Sequence, residues 1–352
     1  MVLQHTSPRY TSMLPTCPAQ YDFLSLLRKR HADWSGQLYL RSHNLWQAAV
    51  NEKRLGYAFA ESVGVRSPRL LCCSCELAAL PGKWPAHWGR DFVVKPPNGH
   101  SGRGVLLLSN GVDIFSGQRF DGAAAVRALY ARQGLGNTVV VEQLVKPDPG
   151  RNHTTATDYK FLMFGDKVGA VFVVQNRHSK RACSLYVDDK WRRVDSHGCA
   201  WFERQVPPHA HPHGGYKPCA DDTPSPRGWA RLVGAARRLG GALGVHMRID
   251  LFLDELGVPR LGEFTPWHGH GSNHCGSRRR SDGSVDACYL GRMWREGGVE
   301  GGPIRPPPRA FARWEALQRN GSAQCMLAMQ QQQRAASGHG HGPLAQELRR
   351  FW

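Results

Sequence analysis

Four residues have types and spacing that imply chemistry directly: Arg248, Asp250, Glu263 and Thr265. They lie in Arg248-Ile249-Asp250-Leu251-Phe252-Leu253-Asp254, Glu255-Leu256-Gly257-Val258 and Pro259-Arg260-Leu261-Gly262-Glu263-Phe264-Thr265. Strand alternation sets Ile249, Leu251 and Leu253 on one face and Arg248, Asp250 and Phe252 on the other. A turn around Leu256 and Gly257 then pairs Asp250 with Glu263 and Arg248 with Thr265. Directly opposed residues have β-carbons about 4.5–5.5 Å apart, and like charges there are destabilising. A cation between the two carboxylates removes the conflict. One or two carboxylates, with the remaining ligands left to water and phosphate, suit Mg²⁺. The hairpin therefore points to a metal–nucleotide site.

Other segments offer matching groups. Lys95 ends the apolar run Phe92-Val93-Val94 and precedes Pro96-Pro97-Asn98-Gly99-His100-Ser101-Gly102-Arg103-Gly104. Glycines let backbone N–H groups approach phosphate oxygens, and a lysine on the preceding strand reaches them as a point charge. No Gly-Lys-Ser/Thr follows, and the loop returns to a strand instead of opening a helix, so neither a Walker A loop nor a dinucleotide fingerprint is present. By itself the segment also reads as an ordinary glycine-rich hairpin. Val139–Val145 runs from an apolar strand into a loop and can offer backbone groups to an adenine edge; a plain core strand has the same pattern. Asp158 and Lys160 open a further hairpin beside Arg177, Lys180 and Arg181. The groups His209/His211/His213, His339/His341 and His268/His270/His274/Cys275 have metal-like spacing but sit in polar or low-complexity context, where a substrate loop is the simpler reading. Cys72-Cys73-Ser74-Cys75 lacks a second ligand pair.

The elements that must position these groups alternate between helices and hairpins. Helical periodicity covers 21–30, 44–63, 121–133 and 226–243, and strands are expected at 65–73, 91–95, 105–109, 138–145, 159–164, 168–174 and 184–187. Hairpin connections imply mostly antiparallel pairing and an α+β fold. Four regions follow: an irregular start (1–43), a part with the glycine loop (44–145), a lobe with the acid hairpin (146–297), and a low-complexity stretch of Pro, Gln and Gly-His repeats (298–352), read as a linker, one helix around 309–334 and a flexible end.

With 352 residues, 41% of them hydrophobic, the chain is long enough for two or three lobes. Its net charge of +18 fits nucleic acid, an anionic membrane surface or anionic small substrates. The basic residues are dispersed apart from Arg278-Arg279-Arg280, which argues against a nucleic-acid groove reader. No apolar run is long enough to span a membrane. Without a secretory segment, ten cysteines are expected reduced and the chain cytoplasmic, although the acid-free stretch before Asp22 also fits an organelle transit peptide.

Taken in order, the lysine strand, glycine loop, Val141–Leu144, the Asp158–Phe164 hairpin, Ser184–Trp191, Arg248–Leu253 and Gly262–Gly271 make the chain resemble the ATP-grasp superfamily, and within it the teichuronopeptide-biosynthesis (TupA-like) branch. The resemblance covers about residues 44–295. It implies two α+β lobes gripping ATP. It implies that Lys53 and Lys95 lie near the nucleotide phosphates and that Gly99, Ser101, Gly102 and Gly104 form a lid. Glu142, Gln143 and Val145 would form the adenine hinge, Asp158 would meet the ribose and Lys160 a phosphate. Asp250, Glu263 and Thr265 would take the Mg²⁺ positions, and Arg248 would face the reacting phosphoryl group. Thr265 departs from the Asn common at that position. The activity implied is an ATP- and Mg²⁺-dependent carboxylate–amine ligase acting through an acyl phosphate on an anionic small molecule, glycan or peptide. The alternatives are a kinase on the same fold and a non-catalytic polyanion-binding protein.

Overall fold

The computed structural model describes residues 17–35, 47, 50–80, 82–97, 102–147, 155–177, 179, 181–194, 217–266, 278–279, 285–286 and 288–296. The fold is α+β. A five-stranded sheet has the order β1-β5-β2-β3-β4, built from β1 (Leu70–Glu76), β2 (Asp91–Lys95), β3 (Leu106–Ser109), β4 (Val112–Asp113) and β5 (Thr138–Gln143). A six-stranded sheet has the order β11-β10-β6-β7-β8-β9, from β6 (Asp158–Phe164), β7 (Lys167–Gln175), β8 (Cys183–Val187), β9 (Lys217–Pro218), β10 (His246–Leu253) and β11 (Pro259–Thr265). All these pairs are antiparallel except β8–β9. A short ribbon joins β12 (Arg278–Arg279) to β13 (Val285–Asp286).

Helices cover the sheets according to side-chain parity. In the six-stranded sheet Tyr159, Phe161, Val171, Val173, Leu185, Ile249 and Leu251 point to one face. There they pack on Leu232, Ala236 and Leu239 of α4 (Trp229–Leu243) and on Tyr57 and Phe59 of α2 (Lys53–Ser62). The opposite face carries Leu162, Phe164, Phe172 and Tyr186, covered in part by Phe23 and Leu27 of α1 (Phe23–Ser35) and Trp294 of α5 (Tyr289–Glu296). In the five-stranded sheet Phe92, Val94, Val139 and Val141 share a core with Val126 and Tyr130 of α3 (Ala123–Gln133). Val140, on the other face of that sheet, belongs instead to the core of α2 and α4. Helix α2 is thus the seam. Its start is capped by the Glu52 carboxylate, which accepts from Leu55 N–H at 3.1 Å.

The helix expected from residue 121 starts at Ala123, and the strand expected at 65–73 is shifted to Leu70–Glu76, behind Pro68. Helix α5 was not anticipated although its apolar residues share one face, and the two-residue strands β4, β9, β12 and β13 are too short to show a period. The cysteine expectation is corrected. Cys17–Cys288, Cys72–Cys75 and Cys183–Cys219 are disulfides, so six cysteines are paired instead of reduced. Disulfides are rare in reducing compartments, and the cysteine support for a cytoplasmic location is lost. Folding creates the first and third pairs by bringing distant segments together, at sequence separations of 271 and 36. No helix among the described residues is long and apolar enough to cross a membrane. The tail at 298–352 and the histidine groups at 209–213, 268–274 and 339–341 lie outside the described residues.

Two glycines of α4 test this packing with opposite signs. A β-carbon on Gly240 would run into the Gly165 carbonyl oxygen and the Met163 side chain, whereas one on Gly234 meets only Arg238 Nη1, at 3.9 Å. Alanine favours a helix over glycine by about 1 kcal/mol, but overpacking costs about 1–3 kcal/mol. Gly240→Ala should therefore lower the urea midpoint, and Gly234→Ala should raise it. Equal shifts for the two would contradict the close approach of α4 to the β6–β7 turn.

Candidate functional site

The β10–β11 hairpin has the expected register: Arg248 opposes Thr265 and Asp250 opposes Glu263. Beyond Asp250 the register slips, because Leu251 opposes Leu261 and Gly262 is the extra residue. A β-carbon at Gly262 would lie 2.7 Å from the Phe252 ring and 3.1 Å from the Asp250 carbonyl, so only glycine fits the bulge. The turn is held by Asp254, whose Oδ1 accepts from Leu256 N–H at 3.0 Å and Val258 N–H at 2.8 Å. Gly257 takes φ 66°.

Across the sheet, Glu263, Asp250, Lys160, Phe172 and Tyr186 form one row, and Thr265, Arg248, Leu162 and Ala170 form the next. Charged groups in these rows pair with one another. Lys160 Nζ lies 2.6 Å from Asp250 Oδ2 and 2.6 Å from Asp158 Oδ2, which also accepts from Arg177 at 3.2 Å. Arg248 clasps Asp250 with two bonds, Nε to Oδ1 at 2.7 Å and Nη2 to Oδ2 at 2.8 Å. The same Nη2 faces Glu263 Oε1 at 3.1 Å and Thr265 Oγ1 at 2.9 Å. The cation required between the opposed acids is therefore supplied by the protein. Phe172 and Tyr186 stack at 4.8 Å beside this row, and burial pushes the Tyr186 hydroxyl well above its usual range against a small opposing pull from Arg248.

The five-stranded sheet brings a second cluster. Lys95 and Glu142 are diagonal neighbours on one face, because Lys95 opposes Val140 and Glu142 opposes Val93. Lys95 Nζ donates to Glu142 Oε1 at 2.6 Å and to Tyr57 Oη at 2.8 Å; Tyr57 donates its single proton to Glu142 Oε2 at 2.8 Å. The Gly262 carbonyl, on the acid hairpin, is 3.3 Å from Tyr57 Oη. Lys95 also lies over the Tyr57 ring. Burial, then Glu142, raises the Tyr57 hydroxyl well above its ordinary value, so it remains a donor. Burial lowers Lys53, and Lys95 lowers it further, against the pull of Glu263 and Glu142. Those effects put Lys95, Glu142 and Glu263 within electrostatic reach of Lys53.

Lys53, Lys95, Glu142, Asp158, Lys160, Arg248, Asp250, Glu263 and Thr265 thus fall into two adjoining clusters. Glu142 points its carboxylate at Lys95. Gln143 is exposed and Val145 half-buried; the Gln143 and Leu144 N–H groups are already bonded to Arg69 O and Asp91 O. Val145 is the first residue of the expected hinge past these bonds. Gly99 and Ser101 lie outside the described residues, while Gly102 and Gly104 have φ 73° and 72°. Tyr130 of α3 donates to the Gly104 carbonyl at 2.7 Å. Tyr57 was missed by sequence reasoning: it lies within the apolar stripe of a helix and carried no separate signal.

The donor set can hold a divalent cation. A carboxylate has about four lone-pair sites, and Asp250 uses three, on Arg248 Nε, Arg248 Nη2 and Lys160 Nζ. Glu263 is bound through Oε1 to Arg248, and its side chain is 35% exposed. Glu263 therefore keeps sites open to water and phosphate, while Asp250, buried, keeps one beyond its bonds to Arg248 and Lys160; a pair of carboxylates with water and phosphate completing the shell is the set Mg²⁺ takes. Among the described residues no group of three or more His, Cys, Asp and Glu gathers around one point.

No family model matches this chain, and no curated protein does. Among solved structures it is similar to the ATP-grasp ligase PsnB complexed with a phosphomimetic variant of minimal precursor, Mg and ADP, at 14% identity over 71% of this chain and 59% of that one, with TM-score 0.35. It is also similar to D-alanine-D-alanine ligase from Helicobacter pylori, at 15% identity over 73% of this chain and 60% of that one, with TM-score 0.35. D-cycloserine synthetase DcsG gives 16% identity over 79% and 78%, with TM-score 0.39. The chain spans less than two thirds of the length of the first two. Scores this low do not assign an activity, which rests on the residues.

Asp250 sets the pH response of the site. Burial alone would raise its carboxyl, but Arg248 and Lys160 overcome burial and hold it well below the usual carboxylate range. The unfolded chain, with Asp near pKa 3.9, then binds more protons below about pH 4. Stability from this group is complete above that pH and is lost as pH falls toward the folded value. Asp250→Asn should cost about 3–5 kcal/mol at neutral pH, and the difference from wild type should narrow below about pH 4. Urea denaturation from pH 7 to 3 measures it; a constant difference would mean that the pair does not hold Asp250 ionised.

Proposed function

We propose that this chain is an ATP- and Mg²⁺-dependent ligase of the ATP-grasp kind, joining a carboxylate to an amine. The observation that carries the reading is the meeting of two clusters from two sheets. Lys95, with Lys53 on the seam helix, adjoins a hairpin whose Asp250 and Glu263 are aligned across a ladder with Arg248 between them. Cations for a polyphosphate and acids for a metal are thus set side by side, as phosphoryl transfer requires. The stacked Phe172 and Tyr186 extend the same face.

In this reading Lys95 and Lys53 bind phosphate oxygens, and Val145 begins the adenine edge. Asp158 takes the ribose, Lys160 a phosphate, and Gly99–Gly104 the lid. Asp250 and Glu263, with Thr265 at the third position, would hold Mg²⁺, which when bound neutralises phosphate charge. A carboxylate oxygen of the acceptor attacks the γ-phosphorus, and the bond to the ADP oxygen breaks. Arg248 and Lys95 stabilise the charge on the phosphoryl oxygens without any protein nucleophile. An amine then adds to the acyl carbon, the phosphate leaves, and the amine proton passes to solvent. The net charge of +18 suits ATP and an acidic acceptor, such as a glutamyl or uronic-acid-containing chain of the kind used in polysaccharide biosynthesis.

ATP-dependent phosphate release, screened over acidic glycans and amino acids with hydroxylamine present, should yield a hydroxamate. Phosphate transfer to a hydroxyl with no hydroxamate would replace the ligase by a kinase. Glu263→Gln should lower turnover about 10²–10³-fold, and Thr265→Ala about tenfold. Glu263 is the cleaner variant because its side chain is partly exposed, whereas changing Asp250 also breaks buried ion pairs. Full turnover in an Asp250→Asn/Glu263→Gln double variant would sink the metal assignment.

A further inference from the structure

Asp250, Glu263 and Thr265, the three oxygen-bearing residues that would take the metal positions, already converge on one atom. Arg248 Nη2 lies 2.8 Å from Asp250 Oδ2, 3.1 Å from Glu263 Oε1 and 2.9 Å from Thr265 Oγ1. Nη2 carries two hydrogens for three acceptors, so at least one bond is shared, and the group acts as a cation among oxygens as much as a directional donor. The Nε bond to Asp250 Oδ1, at 2.7 Å, fixes the plane of the guanidinium. From the other side Lys160 meets Asp250 Oδ2 at 2.6 Å. That contact comes from the neighbouring strand β6.

We propose that Arg248 is a resident cation that closes the metal position and is drawn off it by a phosphoryl group. The inference rests on the metal–nucleotide reading of this hairpin. Mg²⁺ requires oxygens at about 2.0–2.1 Å, so the ligands cannot close on a metal while Nη2 stands among them. Two cations at one point also repel strongly where water is scarce. The guanidinium must leave, and departure into solvent alone would sacrifice up to four charge-assisted contacts. A phosphate offers an equivalent partner, because its oxygens accept both arms of the guanidinium fork. The Arg248 side chain is 14% exposed, so it borders the open side of the face and has a direction in which to move. When it leaves, Asp250 keeps Lys160 as counterion. Metal binding is therefore conditional on phosphate, and the divalent ion enters with the nucleotide or after it. The coupling is reciprocal: whatever holds Arg248 in place weakens the metal, and the metal favours Arg248 on the phosphate.

Mn²⁺ binding, read from the electron paramagnetic resonance signal of the free ion, tests this without turnover. Wild-type protein should bind Mn²⁺ weakly alone and much more tightly with ADP. Arg248→Gln should bind Mn²⁺ alone about tenfold more tightly than wild type, gain less from ADP, and lose the site when Asp250→Asn is added. Arg248→Lys retains the charge but loses the two-armed grip on Asp250 that Nε and Nη2 make together, and should fall between; it serves if the glutamine variant does not fold. Equal Mn²⁺ affinity of wild type and the Arg248 variants without ADP, or an equal gain from ADP in both, overturns the role of Arg248 and leaves the metal site standing. No Mn²⁺ binding in any form, with or without ADP, overturns the metal–nucleotide reading itself and this inference with it.

Discussion

The six-stranded sheet depends on the pairing of Arg248 with Asp250, closed from the other side by Lys160. Removing an ion from water costs several kcal/mol even after relaxation, and Asp250 is 2% exposed. The sheet can bury it because a guanidinium clasps both carboxylate oxygens and an ammonium meets one of them again. Charge alternation then extends along the face, from Arg177 to Asp158, Lys160, Asp250, Arg248 and Glu263. These three cations and three anions cancel. A row of this kind is stable only as a set, since removing one member leaves a buried neighbour unpaired. The reverse face must therefore be rigid, and it is: Ile249, Leu251 and Leu253 are packed against α4, and a glycine bulge fixes where the register changes.

Helix α2 transmits that rigidity to the second cluster. A β-carbon on Gly56 would lie 2.6 Å from the Val50 carbonyl and 3.1 Å from the Phe264 ring, so the helix sits close against β11. Its neighbour Tyr57 then reaches Lys95 and Glu142 of the five-stranded sheet and, at the limit of bonding distance, the Gly262 carbonyl of the bulge. One hydroxyl thus connects a lysine on one sheet with a backbone bend on the other. The spacing between the clusters is set by a helix and a tyrosine ring, both stiff, and not by a loop.

The hairpin was legible in the sequence because strand periodicity and a short turn fix which residues oppose each other. What lies between the acids was not. The argument from like charges required a cation, and that requirement was correct, but Lys160 is 90 residues from Asp250 and joins it only through strand order. Arg248 was legible as a residue facing Thr265, yet nothing in a period-two pattern says that its side chain curls over Asp250. The α+β class and the strands flanking Lys95 were readable from apolar runs and glycine punctuation. Tyr57 was not, since a buried tyrosine in a helical stripe has the same pattern whether or not its hydroxyl has work to do. Glu142 was assigned to a hinge from its place at a strand end; its side-chain direction follows from parity, and parity sends it to Lys95.

The two clusters differ in a way that bears on the proposed chemistry. The hairpin row is balanced within itself, whereas on the lysine side two buried ammonium groups, Lys53 and Lys95, act on each other as well as on the acids Glu142, Glu52 and Glu263. Under the proposed function a polyphosphate would meet the lysine side, where burial and Lys95 already disfavour the charge on Lys53. Adding anionic oxygens there relieves repulsion between two buried ammonium groups. On the balanced row the same oxygens can act only by exchange, as an alternative partner for Arg248 or Lys160. In the proposed reaction that difference would set an order: phosphate relieves the lysine pair, and the hairpin re-pairs in response. Acids that neutralise arginine in the one arrangement would then become available to a metal in the other.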